Sequence, residues 1–230
     1  MKSREKERLR EMQLAFIGKL MAGLSHEFKN HLAIIKELNG LIEDLLILEV
    51  PGQSVNSERF KKIIPGINER IAQAAEMCRV LSGFSHRMDQ PLSSINVSDV
   101  LQEEIYLLRR FAQQKQVHIE SLFDGDLPAI FNNPSLLQFA VFCVVWPTLE
   151  LLEKGGRVVI TGTGKNQSVE ITAILEGKME RPENDTPWEA MLPQVLEILG
   201  AEFSHRINED GNEDVAITIS SIENSYRDNT

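Results

Sequence analysis

The sequence predicts an α+β protein in which a long antiparallel helical hairpin precedes a smaller α/β sandwich. Between Lys2 and Glu49 no proline occurs, and apolar residues recur at the helical steps of three and four. From about Ile95 the pattern changes to short segments that alternate between helical and strand periodicity, which is typical of a sheet with helices on one face. We therefore expect a hairpin domain over 1–90 and a mixed domain over 95–223.

Two long helices form the predicted hairpin. A first helix of this length would extend roughly 70 Å, so it needs a partner. Pro51 to Ser54 break the pattern, and Ser57 is a candidate N-cap for the second helix, in which Pro65 predicts a kink or a late start. The apolar positions of the first helix are Leu9, Met12, Phe16, Leu20, Leu24, Phe28, Leu32, Ile35, Leu38, Ile42 and Leu45; those of the second are Phe60, Ile64, Ile67, Ile71, Ala74, Cys78, Leu81 and Ser85.

The apolar stripes of the two helices predict a homodimer. The second series has a period of 3.5 residues, which marks a coiled-coil or bundle seam. A hairpin alone cannot cover both stripes along their whole length. Two copies that pair as a four-helix bundle can cover them.

The mixed domain follows a predicted linker at residues 89–94. Its predicted elements are helices at Val100 to Lys115, Pro134 to Lys154 and Trp188 to Leu199, and strands at Val117 to Phe123, Arg157 to Thr161, Val169 to Ala173 and Val215 to Ile219. Gly162 to Lys165 resembles a phosphate-binding loop only in part, because the Walker pattern requires glycine at 159 and Ser or Thr at 166. Val159 and Asn166 stand there, so this segment predicts a hairpin turn.

Composition excludes several classes of function. Twenty-four basic and 34 acidic residues give a net charge of −10, which disfavours a broad nucleic-acid surface.

The sequence shows neither a membrane span nor a signal-peptide pattern. The longest apolar run, Phe139 to Trp146, is too short to span a membrane, and the start of the sequence is charged. We therefore expect a cytoplasmic protein without membrane insertion. Cys78 and Cys143 both lie in apolar helical patterns, which predicts two reduced core thiols.

His26 is the strongest candidate for chemistry. On a helix it lies about 160° from both Leu24 and Phe28, which predicts that its imidazole points away from the core. A neutral imidazole nitrogen is a competent nucleophile toward phosphorus, and Glu27 is placed to accept the proton of the other ring nitrogen. The same face carries small and polar residues on which another protein could dock: Ala22, Lys29, Asn30, Ala33 and Glu37.

The His-Glu pair also suggests a zinc motif, but the spacing excludes it. Zinc ligands on one helical face need histidines four residues apart, whereas His26 and His31 are five apart and about 140° from each other. We therefore expect no metal site. His86, His118 and His205 are isolated in the sequence, which predicts structural roles for them.

Residues Leu24 to Ile35, with the order Leu-Ser-His-Glu-Phe-Lys-Asn-His-Leu-Ala-Ile-Ile, resemble the H-box of two-component sensor histidine kinases. The resemblance implies that His26 accepts a phosphoryl group, that Glu27 assists proton transfer, and that Asn30 acts in phosphotransfer or positions water. His31 replaces the proline that often follows this Asn. The pattern without proline is also similar to sporulation-type histidine phosphotransferases.

The mixed domain resembles the ATP-binding domain of the same kinases, but without its nucleotide site. Leu127 to Gln138 resembles the approach to the helix that carries the phosphate-binding Asn, yet Cys143 and Pro147 stand where asparagines are expected. The Asp-x-Gly-x-Gly and Gly-x-Gly segments of the family are missing between Leu175 and Gly200. We therefore expect no cofactor of its own and no tight binding of ATP.

Together these observations predict a dimeric histidine phosphotransferase that exchanges phosphoryl groups between His26 and the aspartates of response-regulator receiver domains. The receiver would supply the magnesium. Two alternatives remain: a pseudokinase scaffold that binds a sensor histidine kinase or a receiver, and an active kinase with a divergent nucleotide site.

Overall fold

The computed structural model describes residues 3–47, 57–89, 91–123, 127–179, 184–207 and 212–222. The chain divides into two compact units. One, the hairpin unit, is Met21–Ser82; the other, the sheet unit, combines Met1–Leu20 with Gly83–Thr230. The outer ends of both long helices thus belong to the sheet unit, whereas the sequence predicts a boundary between residues 90 and 95.

Helix α1 spans Ser3–Ile47 and helix α2 spans Ser57–Met88, as the periodicity predicts. The predicted break at Pro51 to Ser54 lies outside the described residues. Of the two outcomes predicted for Pro65, a kink or a late start, the late start does not occur, because α2 begins at Ser57 and continues through Pro65. Proline removes one backbone donor, and the remaining hydrogen bonds of a helix of this length keep it continuous.

The described part of the sheet unit contains short strands, three further α-helices and one 3₁₀ turn. In chain order these are β1 (Ser93–Ile95), α3 (Val97–Lys115), β2 (His118–Phe123), β3 (Ile130–Asn132), α4 (Pro134–Leu151), β4 (Arg157–Lys165), β5 (Ser168–Glu176), the 3₁₀ turn (Glu189–Met191), α5 (Leu192–Leu199), β6 (Glu202–Ile207) and β7 (Glu213–Ser220). The predicted α+β class is confirmed.

Five strands form one sheet in the order β2-β4-β5-β7-β6. Strands β2 and β4 are parallel and the other neighbours are antiparallel. Strands β1 and β3 form a separate antiparallel pair. Every second residue of β5, from Val169 to Leu175, is buried, so one face of the sheet supports the helices and the other is more exposed.

Three strands are absent from the sequence prediction. β1 begins in the predicted linker and ends one residue beyond it, and β3 ends shortly before α4. Both have three residues, too few to show an alternating pattern. β6 is an edge strand in which five of six residues are exposed, so it lacks the buried alternation from which strands are recognised. The predicted helix at 134–154 ends at Leu151, and the one at 188–199 begins with the 3₁₀ turn.

The predicted hairpin of β4 and β5 is confirmed, but its turn lies at Asn166 and Gln167, beyond the glycines. Asn166 has a φ of 58°, in the left-handed region. Gly164 is needed for close packing, because a Cβ there would clash with Cδ of Pro128. The Gly-Thr-Gly segment therefore serves packing between strand and loop.

Helix α4 is the core of the sheet unit. All residues from Leu136 to Leu149 are buried, and this is the one helix of the described chain that is long and apolar enough to cross a membrane, with 78% of it inside the structure. Phe16 of α1 is fully buried against it, with its ring centroid 4.6 Å from that of Phe142. The prediction that both cysteines are core thiols is wrong for Cys78, which is exposed, and correct for Cys143.

Candidate functional site

His26 lies on an exposed face of α1, within the hairpin unit. Its side chain is exposed, whereas Gly23 and Leu24 on the preceding turn are buried. Asn30 is four residues later, so helical geometry places it on the same face, and it is exposed as well. Glu27 is half-buried at the side of this face, one residue from His26.

The remaining residues of the predicted docking face are also at the surface. Ala22, Lys29, Ala33 and Glu37 are all exposed. The two alanines bring small side chains to the surroundings of the imidazole, and Lys29 brings a positive charge that suits a phosphoryl oxygen. The residues of α1 that flank His26 on this face therefore leave space for another protein to approach the imidazole.

His31 lies on another side of α1. Only 7% of it is exposed, and its Nδ1 atom is buried without a hydrogen-bond partner among the described residues. No group of three potential metal ligands occurs in the described parts of the chain. The two histidines of the motif thus have different environments, as their separation of about 140° requires.

The two helices of the hairpin approach each other closely at one described position. A Cβ at Gly66 of α2 would lie 3.2 Å from Cδ1 of Leu38 of α1. Leu24 of α1 and Val80 of α2 are also buried, at 6% and 1% exposure.

The predicted apolar series of α2 does not form this intramolecular seam. Ile64 and Ile71 are 47% and 51% exposed, and Cys78 is exposed, while Met77 and Val80 are buried. Residues 64, 71 and 78 are spaced by seven, so they form one exposed stripe along α2. The helix therefore has two apolar seams, of which the hairpin itself covers one.

A second candidate region is α4, which corresponds to the helix that the sequence aligns with the nucleotide-binding helix of histidine kinases. Cys143 and Pro147 of α4 are buried in the core, and burial, with the nearby Glu104 carboxyl, raises the pKa of the Cys143 thiol. Thr148 donates its hydroxyl hydrogen to the carbonyl oxygen of Val144 at 2.9 Å. Cys143 and Pro147 of α4 therefore pack in the core and offer no side-chain amide to a nucleotide.

A cavity of about 80 Å³ lies beside this stretch, and it is too small for a nucleotide. Met179, Glu189 and Leu192 form part of its wall. Trp188 packs edge-on against Phe142 of α4, with centroids 5.0 Å apart. Trp188, just before the 3₁₀ turn and α5, therefore packs against α4, where a kinase would need open space for a nucleotide.

Two histidines predicted to be isolated have carboxylate neighbours in the structure. His205 Nε2 lies 2.8 Å from Glu213 Oε2 across strands β6 and β7. His118 Nε2 lies 3.4 Å from Glu120 Oε2 on β2, and Glu120 also pairs with Arg157. Arg157 donates to this carboxylate and lowers the pKa of Glu120. Both pairs lie on the sheet and not on the helix that carries His26.

The sheet unit contains a buried charged cluster that the sequence patterns do not reveal. Arg87 pairs with Glu103, and Glu104 beside them is fully buried, with both carboxylate oxygens unpartnered among the described residues. Burial raises the pKa of Glu104 well above its usual range. Glu103 and Glu104 are adjacent at positions that a helical wheel assigns to the core, and this pattern could have revealed the cluster from the sequence.

Comparison with known proteins identifies the fold. No protein-family model matches the chain, and no curated protein does. Among solved structures, the catalytic domain of histidine kinase ThkA matches with a TM-score of 0.51, at 11% identity, over 57% of this chain and 98% of that chain. Full-length ShkA in complex with AMPPNP matches with a TM-score of 0.50, at 12% identity, over 86% of this chain and 46% of that chain.

A third structure, histidine kinase ThkA in complex with response regulator protein TrrA, matches at 14% identity and a TM-score of 0.49, over 95% of this chain and 66% of that chain. At these identities the first two matches show the fold. The sheet unit has the fold of the histidine kinase catalytic domain, as the sequence predicts.

Proposed function

We propose that this chain is a histidine phosphotransferase of a two-component phosphorelay and that His26 carries the phosphoryl group. The observation that carries the proposal is the exposed imidazole of His26, with Glu27 and Asn30 beside it, on a helical hairpin in the same chain as a kinase-like sheet unit. An exposed nucleophile on a helical face is accessible to a partner's phosphorylated side chain.

The transfer needs one bond to form and one to break. A ring nitrogen of His26 attacks the phosphorus of an aspartyl phosphate on a receiver domain, the N–P bond forms, the P–O bond breaks, and the aspartate leaves as a carboxylate. Glu27 accepts the proton of the other ring nitrogen, and Asn30 holds a phosphoryl oxygen or a water. Positioning and charge stabilisation account for most of phosphoryl-transfer catalysis. Magnesium held by the receiver would supply positive charge to the transferring phosphoryl group.

The environment of α4 supports a protein that does not phosphorylate itself with ATP. Cys143 and Pro147 replace the amides that the resemblance leads one to expect, both are buried, and the adjoining cavity measures about 80 Å³. Trp188 and the 3₁₀ turn occupy the adjacent space. The alternative of an active kinase would require this core to open.

The exposed stripe of α2 supports a homodimer. Ile64, Ile71 and Cys78 lie on one line at steps of seven, and large apolar side chains along a helix are normally covered. A second copy that presents the same stripe would cover it in a four-helix bundle. We place the dimer in the cytoplasm, where receiver domains are found.

The proposal is tested with a panel of receiver domains phosphorylated on aspartate with a radiolabelled donor. We expect label to appear on the chain or to be lost through it, and the His26→Ala variant to show neither. His86→Ala, which removes another exposed histidine, is the matched control and should behave as wild type. Labelled ATP should give no labelled chain.

The outcomes separate the alternatives. Labelling of His26 by ATP would identify an active kinase. If receivers bind but wild type and His26→Ala give the same label, the chain is a scaffold and the phosphotransferase proposal is wrong.

A further inference from the structure

Strand β6 forms one edge of the five-stranded sheet. It spans Glu202–Ile207 and pairs with β7 on one side, and no strand of the described chain pairs with its other side. Five of its six residues are exposed. In an edge strand, every second residue directs its backbone N–H and C=O away from the sheet. The edge therefore presents a row of donors and acceptors to which a further strand can bind.

One face of β6 exposes large apolar side chains. Phe203 and Ile207 are 49% and 67% exposed. Phe203 lies opposite Ile217 of β7, and Ile217 is buried. Because directly opposed residues share a face, Phe203 and Ile207 lie on the face that supports the helices. This face therefore continues to the edge of the sheet with apolar side chains that the described chain leaves partly uncovered.

The other face of β6 carries two opposite charges. Glu202 and Arg206 are both exposed and lie four residues apart, with Ser204 midway between them on the same face. Charged side chains on an edge strand normally discourage pairing with another chain. Here the negative and the positive charge are placed symmetrically about Ser204, so the strand is complementary to a second copy of itself.

The faces and the charges together select one register. In an antiparallel pair, directly opposed residues lie on the same face, so two copies of β6 match faces only when their two-fold axis passes through a residue. With the axis at Ser204, Glu202 of each copy lies opposite Arg206 of the other, and Phe203 lies opposite His205. With the axis at Phe203 or at His205, Ser204 takes the place of one charged partner and both ion pairs are lost.

The neighbouring strand is compatible with this register. Arg206 lies opposite Asp214 of β7, and Glu202 lies opposite Thr218. In the paired sheet Arg206 would thus lie between Asp214 of its own chain and Glu202 of the second copy. His205 is already paired with Glu213, at 2.8 Å from Nε2 to Oε2. No two like charges are directly opposed at the junction.

We propose that β6 is a docking edge for a second copy of this chain, which pairs with it in antiparallel orientation about Ser204 and joins the two sheets into one. Two short strands bury less than the roughly 800 Å² per partner of a standard interface, so this contact is weaker than the bundle dimer. It goes beyond the proposed function, because it uses neither His26 nor the exposed stripe of α2. With both contacts present, dimers would join into larger assemblies.

Complementary charge reversals test the contact. Sedimentation velocity at submillimolar concentration is measured in the Ile71→Asp background, which removes the bundle contact. We expect Glu202→Arg alone and Arg206→Glu alone to lower the association constant at least tenfold, because like charges then face each other. An equimolar mixture of these two variants should restore association, since every opposed pair is again of opposite charge. Glu197→Arg, the same substitution at an exposed position of α5, is the matched control and should associate normally.

Cysteine cross-linking tests the register without relying on the charges. In a Cys78→Ser background, Ser204→Cys would place the two introduced thiols directly opposite each other, within the distance that a disulfide spans. Oxidation by oxygen with a copper catalyst should then link two chains through this position. Glu170→Cys, at an exposed position of the inner strand β5, should give at least tenfold less linked product.

The results that overturn the docking edge are distinct from those that contradict the proposed function. A monomeric Ile71→Asp chain at submillimolar concentration, equal association of Glu202→Arg and Glu197→Arg, or no restoration in the mixture would each overturn it. Absence of the Ser204→Cys cross-link would do the same. Phosphotransfer through His26 is measured separately, and its failure in a chain that pairs through β6 would contradict the proposed function alone.

Discussion

Glu104 of α3 is a buried carboxyl group with both oxygens unpartnered among the described residues. It is fully buried, and burial raises the pKa of its carboxyl far more than the nearby Arg87 lowers it. The folded state therefore holds a proton that the unfolded chain releases once the pH exceeds the ordinary value of 4.5. Since the folded state binds more protons, the free energy of unfolding falls as pH rises from this value.

Glu104→Gln removes the titration and should stabilise the protein at high pH. We expect an increase in the free energy of unfolding of about 1–3 kcal/mol at pH 8, and a smaller difference at pH 5. Urea denaturation at the two pH values measures it. Glu150→Gln, at an exposed position of the same unit, should change little at either pH. A Glu104→Gln variant less stable than wild type at pH 8 would contradict the account.

Ala33 tests the docking face beside His26. An arginine there would project from an exposed position into the space a receiver must occupy, without disturbing a core contact. We expect Ala33→Arg to slow transfer from a phosphorylated receiver at least tenfold while the thermal midpoint stays unchanged. Ala72→Arg, at an exposed alanine of α2 that lies off the stripe of Ile64, Ile71 and Cys78, is the control. Equal transfer rates in the two variants would remove this face from the docking surface.

The side-chain orientation of a single residue can be predicted from the sequence where the geometry of one helix determines it. The angle of 100° per residue suffices to separate His26 from His31. The same angle assigns Glu104, four residues after Val100 and three after Leu101, to the core face of α3. It does not reveal which groups surround a buried side chain, so the sequence could not show that both carboxylate oxygens of Glu104 lack a partner among the described residues.

At the scale of elements, α4 and the helices around it hold the sheet unit together. Phe16, from the first part of α1, packs between Phe84 and the aromatic side chains of α4, with centroid distances of 5.6 Å to Phe84 and 4.6 Å to Phe142. Lys19 lies 4.3 Å above the ring of Trp146. This part of α1 therefore contributes to the core of the sheet unit.

Phe16→Ala would leave a cavity in this core. Truncation of a buried phenylalanine costs about 3–5 kcal/mol, so the variant should lose that much of its free energy of unfolding in urea. Leu14→Ala, at a residue that is 60% exposed, should change it by less than about 0.5 kcal/mol. Equal effects of the two substitutions would show that the contact is absent in solution.

The elements that the sequence predicts correctly are those with many residues in one environment. α1, α2, α3 and the pair β4 and β5 each repeat one pattern over nine or more residues. β1 and β3 contain three residues each, and they depend on pairing with each other, which periodicity within one segment cannot reveal. Asn133, which caps α4 by accepting from the Leu136 amide at 2.9 Å, was a local signal for the start of that helix.

At the scale of the whole molecule, the exposed stripe of α2 determines the predicted assembly. Ile71→Asp would place a charge at the centre of the stripe and should convert a dimer to a monomer, or raise its dissociation constant at least tenfold. Ile198→Asp, at a residue of α5 that is 40% exposed, should leave the dimer intact. Sedimentation equilibrium measures both, and a monomeric wild type at micromolar concentrations would contradict the prediction.

The most direct test of the central claim is the transfer of label from a phosphorylated receiver domain to the chain, with site identification by mass spectrometry under conditions that preserve phosphohistidine. We expect the phosphoryl group on His26 in wild type and in His86→Ala, and no phosphohistidine in His26→Ala. Phosphate found on another histidine, or a receiver that keeps its phosphoryl group equally long with and without the chain, would contradict the account.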